Sequence, residues 1–330
     1  MKSSTARKLG GAVLAVVTAT ALAACGSGGD SGSGGGSAAD NAITISYSQV
    51  VADELPLWIA DEAGIFKAHG LDVKLVSLSS SDGFPALLSG QTQMASIGAS
   101  EMVSGAGSGA DVRYLATLTP VFPYELFAKV SDPQQLRGKR IGVTSTSGSL
   151  YIATLAALRQ LGLQPTDVQL TPLGSVTNVN NALVAGTIDA ALSHPPATTA
   201  IEAAGFKPIL DLAKQNIPTS NVGIAATADY LSSHGDQVRR FMAALQEAIK
   251  REKSDEAYAT QVLSAQLKVT DPQALKETYD YYAREVLPDV PTPTVAQLQT
   301  SVDELGPTVP GVKGLDLSKI VDAGYLAPPA

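Results

Sequence analysis

Ile141-Gly142-Val143-Thr144-Ser145-Thr146-Ser147-Gly148-Ser149-Leu150-Tyr151-Ile152-Ala153 is the stretch that decides the fold. Its first residues read as a strand, 145–149 as a hydroxyl-rich loop, and Leu150 onward as the start of a helix. The same order stands about 93 residues earlier. There Ile43-Thr44-Ile45-Ser46-Tyr47 alternates like a strand, Pro56 opens a helix, and Leu57-Trp58-Ile59-Ala60 is echoed by Leu150-Tyr151-Ile152-Ala153. The echo continues in Gly70-Leu71 and Gly162-Leu163, then in Leu87-Leu88-Ser89-Gly90 and Leu183-Val184-Ala185-Gly186.

Each copy spells β-loop-α-β-loop-α-β. The remaining strands are expected at 71–78 and 94–98 in the first copy, and at 168–173 and 189–193 in the second; 79–83 reads as a loop before a short helix at 84–88. Such crossovers build a parallel sheet with helices on both faces. The predicted fold class is therefore α/β, with two α/β lobes joined by two hinge strands. One continuous α/β domain with accidental similarity is the other reading of the pattern. Residues 125–130 and 222–226 are expected to carry the chain across and back. This places lobe 1 at 42–127 plus 224–330 and lobe 2 at 128–223. Helices expected at 237–253, 256–267, 272–286 and 295–305 complete lobe 1 and brace the hinge. Ligands of such sheets bind beyond the carboxyl ends of the strands, so two facing lobes predict a cleft lined by strand-end loops.

The amino terminus carries a different message. Lys2, Arg7 and Lys8 form a basic start, residues 9–24 are apolar or small, and the single cysteine of the chain, Cys25, follows Leu22-Ala23-Ala24. That is a signal peptide in outline over 1–24, too short in its apolar part to span a bilayer comfortably. The four residues ending at Cys25 resemble the lipobox of bacterial lipoproteins, which implies lipidation of Cys25 and anchoring to the extracytoplasmic face of the cell membrane. Residues 25–41 then read as a flexible Gly/Ser tether. Without the signal segment 20 basic residues face 31 acidic ones, a formal charge of −11. Such a chain should avoid nucleic acid. With one cysteine there is no disulfide, and burial must hold the fold.

The run at 56–73, the segment Leu136-Arg137-Gly138-Lys139-Arg140-Ile141-Gly142-Val143 and the run at 183–189 resemble solute-binding proteins of nitrate/sulfonate/taurine-type ABC importers. The resemblance covers roughly residues 43–330. It implies a type II periplasmic-binding-protein fold, capture of a small solute between two closing lobes, and delivery to an ABC permease with a cytoplasmic ATPase. It also implies a monomer, no catalysis and no cofactor. One departure is Gln93, where such proteins commonly carry an acid that the second copy keeps as Asp189; the position reads as structural.

The candidate ligand-binding residues are strand-end residues. Thr144, Ser145, Ser147, Gly148 and Ser149 lie where a helix start offers unpaired N–H groups and partial positive charge, which favours an oxyanion or carboxylate. Plain capping is the competing role of those hydroxyls. Gln49, Ser79, Ser81, Ser100 and Glu101 follow lobe-1 strands; Ser175, Asn178 and His194 follow lobe-2 strands; Tyr124 and Asn221 flank the crossings. Asp53 and Glu54 are expected to cap the helix that Pro56 opens, and Trp58 to pack in the core. Lys139, Arg140 and Arg113 precede their strands, at the wrong end of the sheet. With cations so scarce the predicted ligand is a small monoanion, a zwitterion or a neutral polar molecule, and Glu101 could meet an amine.

His69, His194 and His234 are too scattered for a metal site of ordinary spacing. Gly105-Ala106-Gly107-Ser108-Gly109-Ala110 has the loose form of a dinucleotide loop but ends a helix and precedes a strand, the reverse of the order such a site needs. An exported enzyme of this fold, or a sensor without transport, are the competing functions; acid–base pairs at plausible strand ends are missing for the first.

Overall fold

The computed structural model describes residues 41–327, with the backbone alone for Ser80 and Ser81. The signal segment, Cys25 and the tether through residue 40 lie outside the described residues. The chain runs β1 (Ala42–Tyr47), α1 (Leu55–Glu62), α2 (Ile65–Ala68), β2 (Asp72–Ser77), α3 (Ser80–Leu88), β3 (Met94–Ile97), α4 (Ala99–Gly107) and β4 (Val112–Thr119). It continues through β5 (Glu125–Ala128), β6 (Arg140–Val143), α5 (Ser149–Gln160), β7 (Gln169–Pro172), α6 (Val176–Val184), β8 (Ala190–Ser193), α7 (Thr198–Ala203) and β9 (Lys207–Asp211). It closes with β10 (Val222–Thr227), α8 (Ala228–Ser254), α9 (Glu256–Leu267), α10 (Pro272–Tyr279) and α11 (Val295–Leu305).

Two five-stranded sheets result, in the orders β2-β1-β3-β10-β4 and β7-β6-β8-β5-β9. In each, the three strands of one sequence copy pair in parallel, and the fourth strand runs antiparallel to both neighbours. That fourth strand is the one that arrives from the other lobe: β5 follows the first copy and pairs in the second sheet, while β10 follows the second copy and pairs in the first. The middle strands β3 and β8 are buried at every position, as strands covered on both faces are. The Gln93 carboxamide accepts from Thr44 N at 2.8 Å and the Asp189 carboxylate from Arg140 N at 2.9 Å. These two pairs hold the same place in the two copies, so an amide oxygen and a carboxylate do the same structural task.

Several elements differ from the sequence reading. Glu125–Ala128 is wholly a strand of the second sheet and Val222–Thr227 wholly a strand of the first, so the crossings are made by 120–124 and 212–221. α3 begins at Ser80 rather than at residue 84; the Ser79 hydroxyl donates to Asp82 at 2.6 Å, and Asp82 lies in the first turn where the helix dipole favours an acid. β9 has no counterpart in the sequence reading. α8 starts at Ala228, nine residues early, with a kink at His234 whose ring stacks on Tyr230 at 4.5 Å. The helix expected at 272–286 ends as α10, and Asp280–Val286 follows as a π-helical turn.

The first lobe packs around Trp58, Phe66 and Phe241, the last two stacked 5.1 Å apart. Burying each such ring stabilises by about 1.5–3 kcal/mol. The second core is not confined to one lobe. It joins Met102 and Val103 of α4, Leu150 and Ile152 of α5, and Leu298 and Leu305 of α11. α11 packs on both α4 and α5, which makes an apolar seam between the lobes.

Candidate functional site

The loops after β1, β3, β6 and β8 converge where the sheets face each other. Asp53 and Glu54 form the floor, and here the capping expectation is corrected. Neither side chain caps a helix. Pro56 removes an N–H from the first turn of α1, and both carboxylates turn instead to hydroxyls of the sheet. They are 4 % and 1 % exposed. Asp53 Oδ1 accepts from Thr119 Oγ1 at 2.7 Å and from Asn221 Nδ2 at 3.2 Å. Glu54 Oε2 accepts from Ser96 Oγ at 2.7 Å. Burial pushes the Glu54 carboxyl well above the ordinary range, the Ser96 hydroxyl opposes this, and the neighbouring Asp53 adds to it.

Glu101, in the first turn of α4, accepts from the Ser100 hydroxyl at 2.7 Å. Burial raises its pKa too, against the pull of that hydroxyl and of the backbone N–H groups at Glu101 and Gly98. Asn221 ties the crossing to the floor: its Oδ1 accepts from the Tyr124 hydroxyl at 3.1 Å. Desolvation raises the Tyr124 pKa, so the phenol is a donor at neutral pH. From the second lobe, Gly148 takes φ +85°, a conformation glycine adopts without strain, and opens α5 at Ser149. The Ser149 hydroxyl donates to the Asn221 carbonyl at 2.7 Å and closes the gap between the lobes.

Three spaces meet here. A narrow crevice of about 40 Å³ is walled by Gln49, Glu54 and Glu101 from one lobe and by Thr144, Ser149 and Val176 from the other, with Tyr124 and Asn221 at the crossings. A wider cavity of about 670 Å³ shares Ser48, Gln49, Val51 and Val176 with the crevice and extends past Ser79, Asn180, Asn181 and His194 to Val50, Val184, Ile201 and Leu267. A groove of about 520 Å³ on the far side of Glu101 holds Ser100, Ser147 and Gly148. No lysine or arginine lines any of the three among the described residues.

The candidate residues thus divide. Gln49, Glu101, Tyr124, Thr144, Ser149 and Asn221 reach the crevice; Ser79 and His194 reach the wider cavity; Ser100, Ser147 and Gly148 face the groove. Ser145 and Asn178 are on none of these walls. The Ser145 hydroxyl turns to the Ser147 carbonyl, and the Asn178 amide folds back on the Leu173 carbonyl at 2.8 Å while its N–H donates to Ser175, the cap of α6. Ser81 is described by backbone alone. Glu54, Asn180 and Asn181 were missed as cavity residues. Asn180 and Asn181 lie just past Asn178 on the helix that follows a second-lobe strand, a signal that was available. Among the described residues no three His, Cys, Asp or Glu side chains converge to hold a metal ion.

The walls offer hydroxyls, amides and carboxylates. They can hydrogen-bond a polar group, and Glu54 and Glu101 can accept from a donor or balance a cation. With no lysine or arginine among the described wall residues, nothing in the crevice balances a bare anion.

Three comparisons bear on this architecture. The family described as NMT1/THI5 like matches residues 52–255. No curated protein matches the chain. Among solved structures, the alkanesulfonate-binding protein SsuA from Xanthomonas axonopodis pv. citri, bound to MOPS, superposes with a TM-score of 0.72 at 19 % identity, over 86 % of this chain and 98 % of that one. The aliphatic sulphonate-binding SsuA from Escherichia coli gives 0.68 at 20 %, over 88 % and 93 %. The nitrate-binding protein NrtA from Synechocystis PCC 6803 gives 0.71 at 14 %, over 86 % and 87 %. At these identities the likeness shows the fold, that of the periplasmic binding proteins.

Proposed function

Because the chain belongs to the NMT1/THI5-like family and has the periplasmic-binding-protein fold, we propose that it is the extracytoplasmic solute-binding component of an ABC importer. It captures a small polar solute between its lobes and hands it to a permease. The observation that carries this is the cleft itself: strand-end loops of two like-built sheets face one space, and both lobes supply its walls. Solute contacts made by both lobes at once favour the closed form, and that differential affinity shifts the population. No chemistry on the solute is needed for this. Lipid on Cys25, with residues 26–41 as a tether, would keep the protein at the membrane face near its permease; several acyl chains anchor firmly, because each buried CH₂ contributes about 0.8 kcal/mol.

The test is native mass spectrometry of protein purified without denaturation, followed by small-angle scattering with the released solute added back. A bound small molecule and a smaller radius of gyration on its return are expected. Protein that retains nothing and keeps its dimensions with every solute offered overturns the reading.

A further inference from the structure

The cleft has a polar end and an apolar end. At its inner crevice stand two carboxylates of lobe 1, Glu54 just ahead of α1 and Glu101 in the first turn of α4. No described lysine or arginine lines the crevice or the cavity that adjoins it. Hydrogen bonds from Ser96 and Ser100 reach one oxygen of each carboxylate, and these donors belong to the same lobe, so they do not depend on closure. The start of α5 would suit an anion by its free N–H groups. However, the Glu101 carboxylate and the Ser149 hydroxyl both lie against Gly98: a Cβ there would sit 3.1 Å from Glu101 Oε2 and 2.0 Å from Ser149 Oγ. A carboxyl group of the protein itself therefore stands beside the α5 start, and an oxyanion placed there would find no lysine or arginine to balance it.

The outer part of the cleft is different. The 670 Å³ cavity is far larger than the crevice and is walled by aliphatic side chains from three directions: Val50 from lobe 1, Val184 and Ile201 from lobe 2, and Leu267 and Val269 near the end of α9. Val50 and Val184 are 48 % and 42 % exposed, on opposite lobes of one opening. An apolar solute body between them would cover both.

Building on the solute-binding reading, we propose that the solute is a nitrogen cation, an amine or amidine head on an apolar or aromatic body, with its head between Glu54 and Glu101 and its body against Val50 and Val184. Oxyanions such as nitrate and simple alkanesulfonates should bind more weakly, because no lysine or arginine among the described wall residues balances their charge. The desolvation that weighs on both carboxyls in the empty cleft is offset when a cation arrives, since an opposite charge at hydrogen-bonding distance favours the ionised form.

The experiment is calorimetric titration of the full-length protein with benzamidine, 2-phenylethylamine and choline against benzoate, ethanesulfonate and nitrate. At least one nitrogen cation is expected to bind at least tenfold more tightly than every anion. Glu101→Gln should weaken that binding at least tenfold; Glu54→Gln is the second variant, should Glu101→Gln fail to fold. Anion binding stronger than cation binding, cation binding untouched by either variant, or no binding by any of the six probes overturns the proposal. The two readings fail differently. A solute without a basic nitrogen, retained through purification and closing the lobes, sinks the nitrogen preference and leaves solute capture standing; a protein that retains no solute and never closes sinks solute capture itself.

Discussion

Ser149 Oγ donates to the Asn221 carbonyl oxygen at 2.7 Å, and this bond joins the helix start of one lobe to the loop before the returning strand of the other. Both residues also wall the inner crevice. The contact is possible because Gly98 has no side chain. Its φ of −86° would suit any residue, so glycine is required there for space and not for conformation. Lobe approach and crevice shape are thus set by one absent methyl group.

Gly98→Ala should force the lobes apart. The added Cβ would sit 2.0 Å from Ser149 Oγ and 2.8 Å from the Asn221 carbonyl, and the second of these atoms is backbone. Overpacking of this kind costs about 1–3 kcal/mol. Urea denaturation should show that loss, and small-angle scattering of the unliganded variant should show a larger radius of gyration. Unchanged dimensions would mean that the lobes do not meet at Ser149 in solution.

Tyr124→Phe should cost about 1 kcal/mol, because Asn221 Oδ1 loses its donor while its amide stays committed to Asp53. Pairing it with Thr119→Val, which removes the other donor to Asp53, gives a double-mutant cycle. The cycle should return a coupling clearly different from zero, since Asn221 and Asp53 link the two sites. Additive losses measured by denaturation would separate the network into independent bonds.

The two-copy architecture was legible because helix starts and helix-ending glycines recur in step, as Leu57-Trp58-Ile59-Ala60 and Leu150-Tyr151-Ile152-Ala153 do. The sheet to which β5 and β10 belong was not. A four-residue strand such as Glu125–Ala128 carries no mark of its partner, and its place is set by Leu192 and Leu210, far along the chain. The crevice hydroxyls at 144 and 149 were readable as the end of a strand and the start of a helix. Glu54 was not: Asp-Glu before Leu-Pro is also what a helix cap looks like. Its neighbour Asp53 is turned inward by partners 66 and 168 residues away, which no local pattern encodes.

Glu252 predicts a pH effect on stability away from the cleft. It is buried in α8, its Oε2 has no partner, and burial holds its pKa well above the ordinary carboxyl value, only partly countered by Lys253. A folded-state pKa above the unfolded one means that the native protein binds the extra proton. The contribution is fully present below the unfolded value near 4.3 and is lost as pH rises toward the folded value. Glu252→Gln removes that titration. Its melting temperature relative to the parent should therefore be more favourable at pH 8 than at pH 5. An equal difference at both values would show that Glu252 does not titrate with folding.

Leu298 offers a test of what limits closure. It is fully buried on α11, within the cluster that also holds Met102 and Val103 of α4 and Leu150 and Ile152 of α5. Lobes that share an apolar seam cannot swing freely about the two crossing segments; they must pivot along that seam, because separating it exposes area that costs about 25 cal/mol per Å². Leu298→Ala leaves a cavity at the pivot and should cost about 2–5 kcal/mol. If the seam couples the lobes, the loss should also lower the cooperativity of unfolding, read as a smaller urea m-value or a second transition. A variant destabilised by the same amount but with an unchanged m-value would place the coupling in the crossings at 120–124 and 212–221, and the seam would then be packing alone.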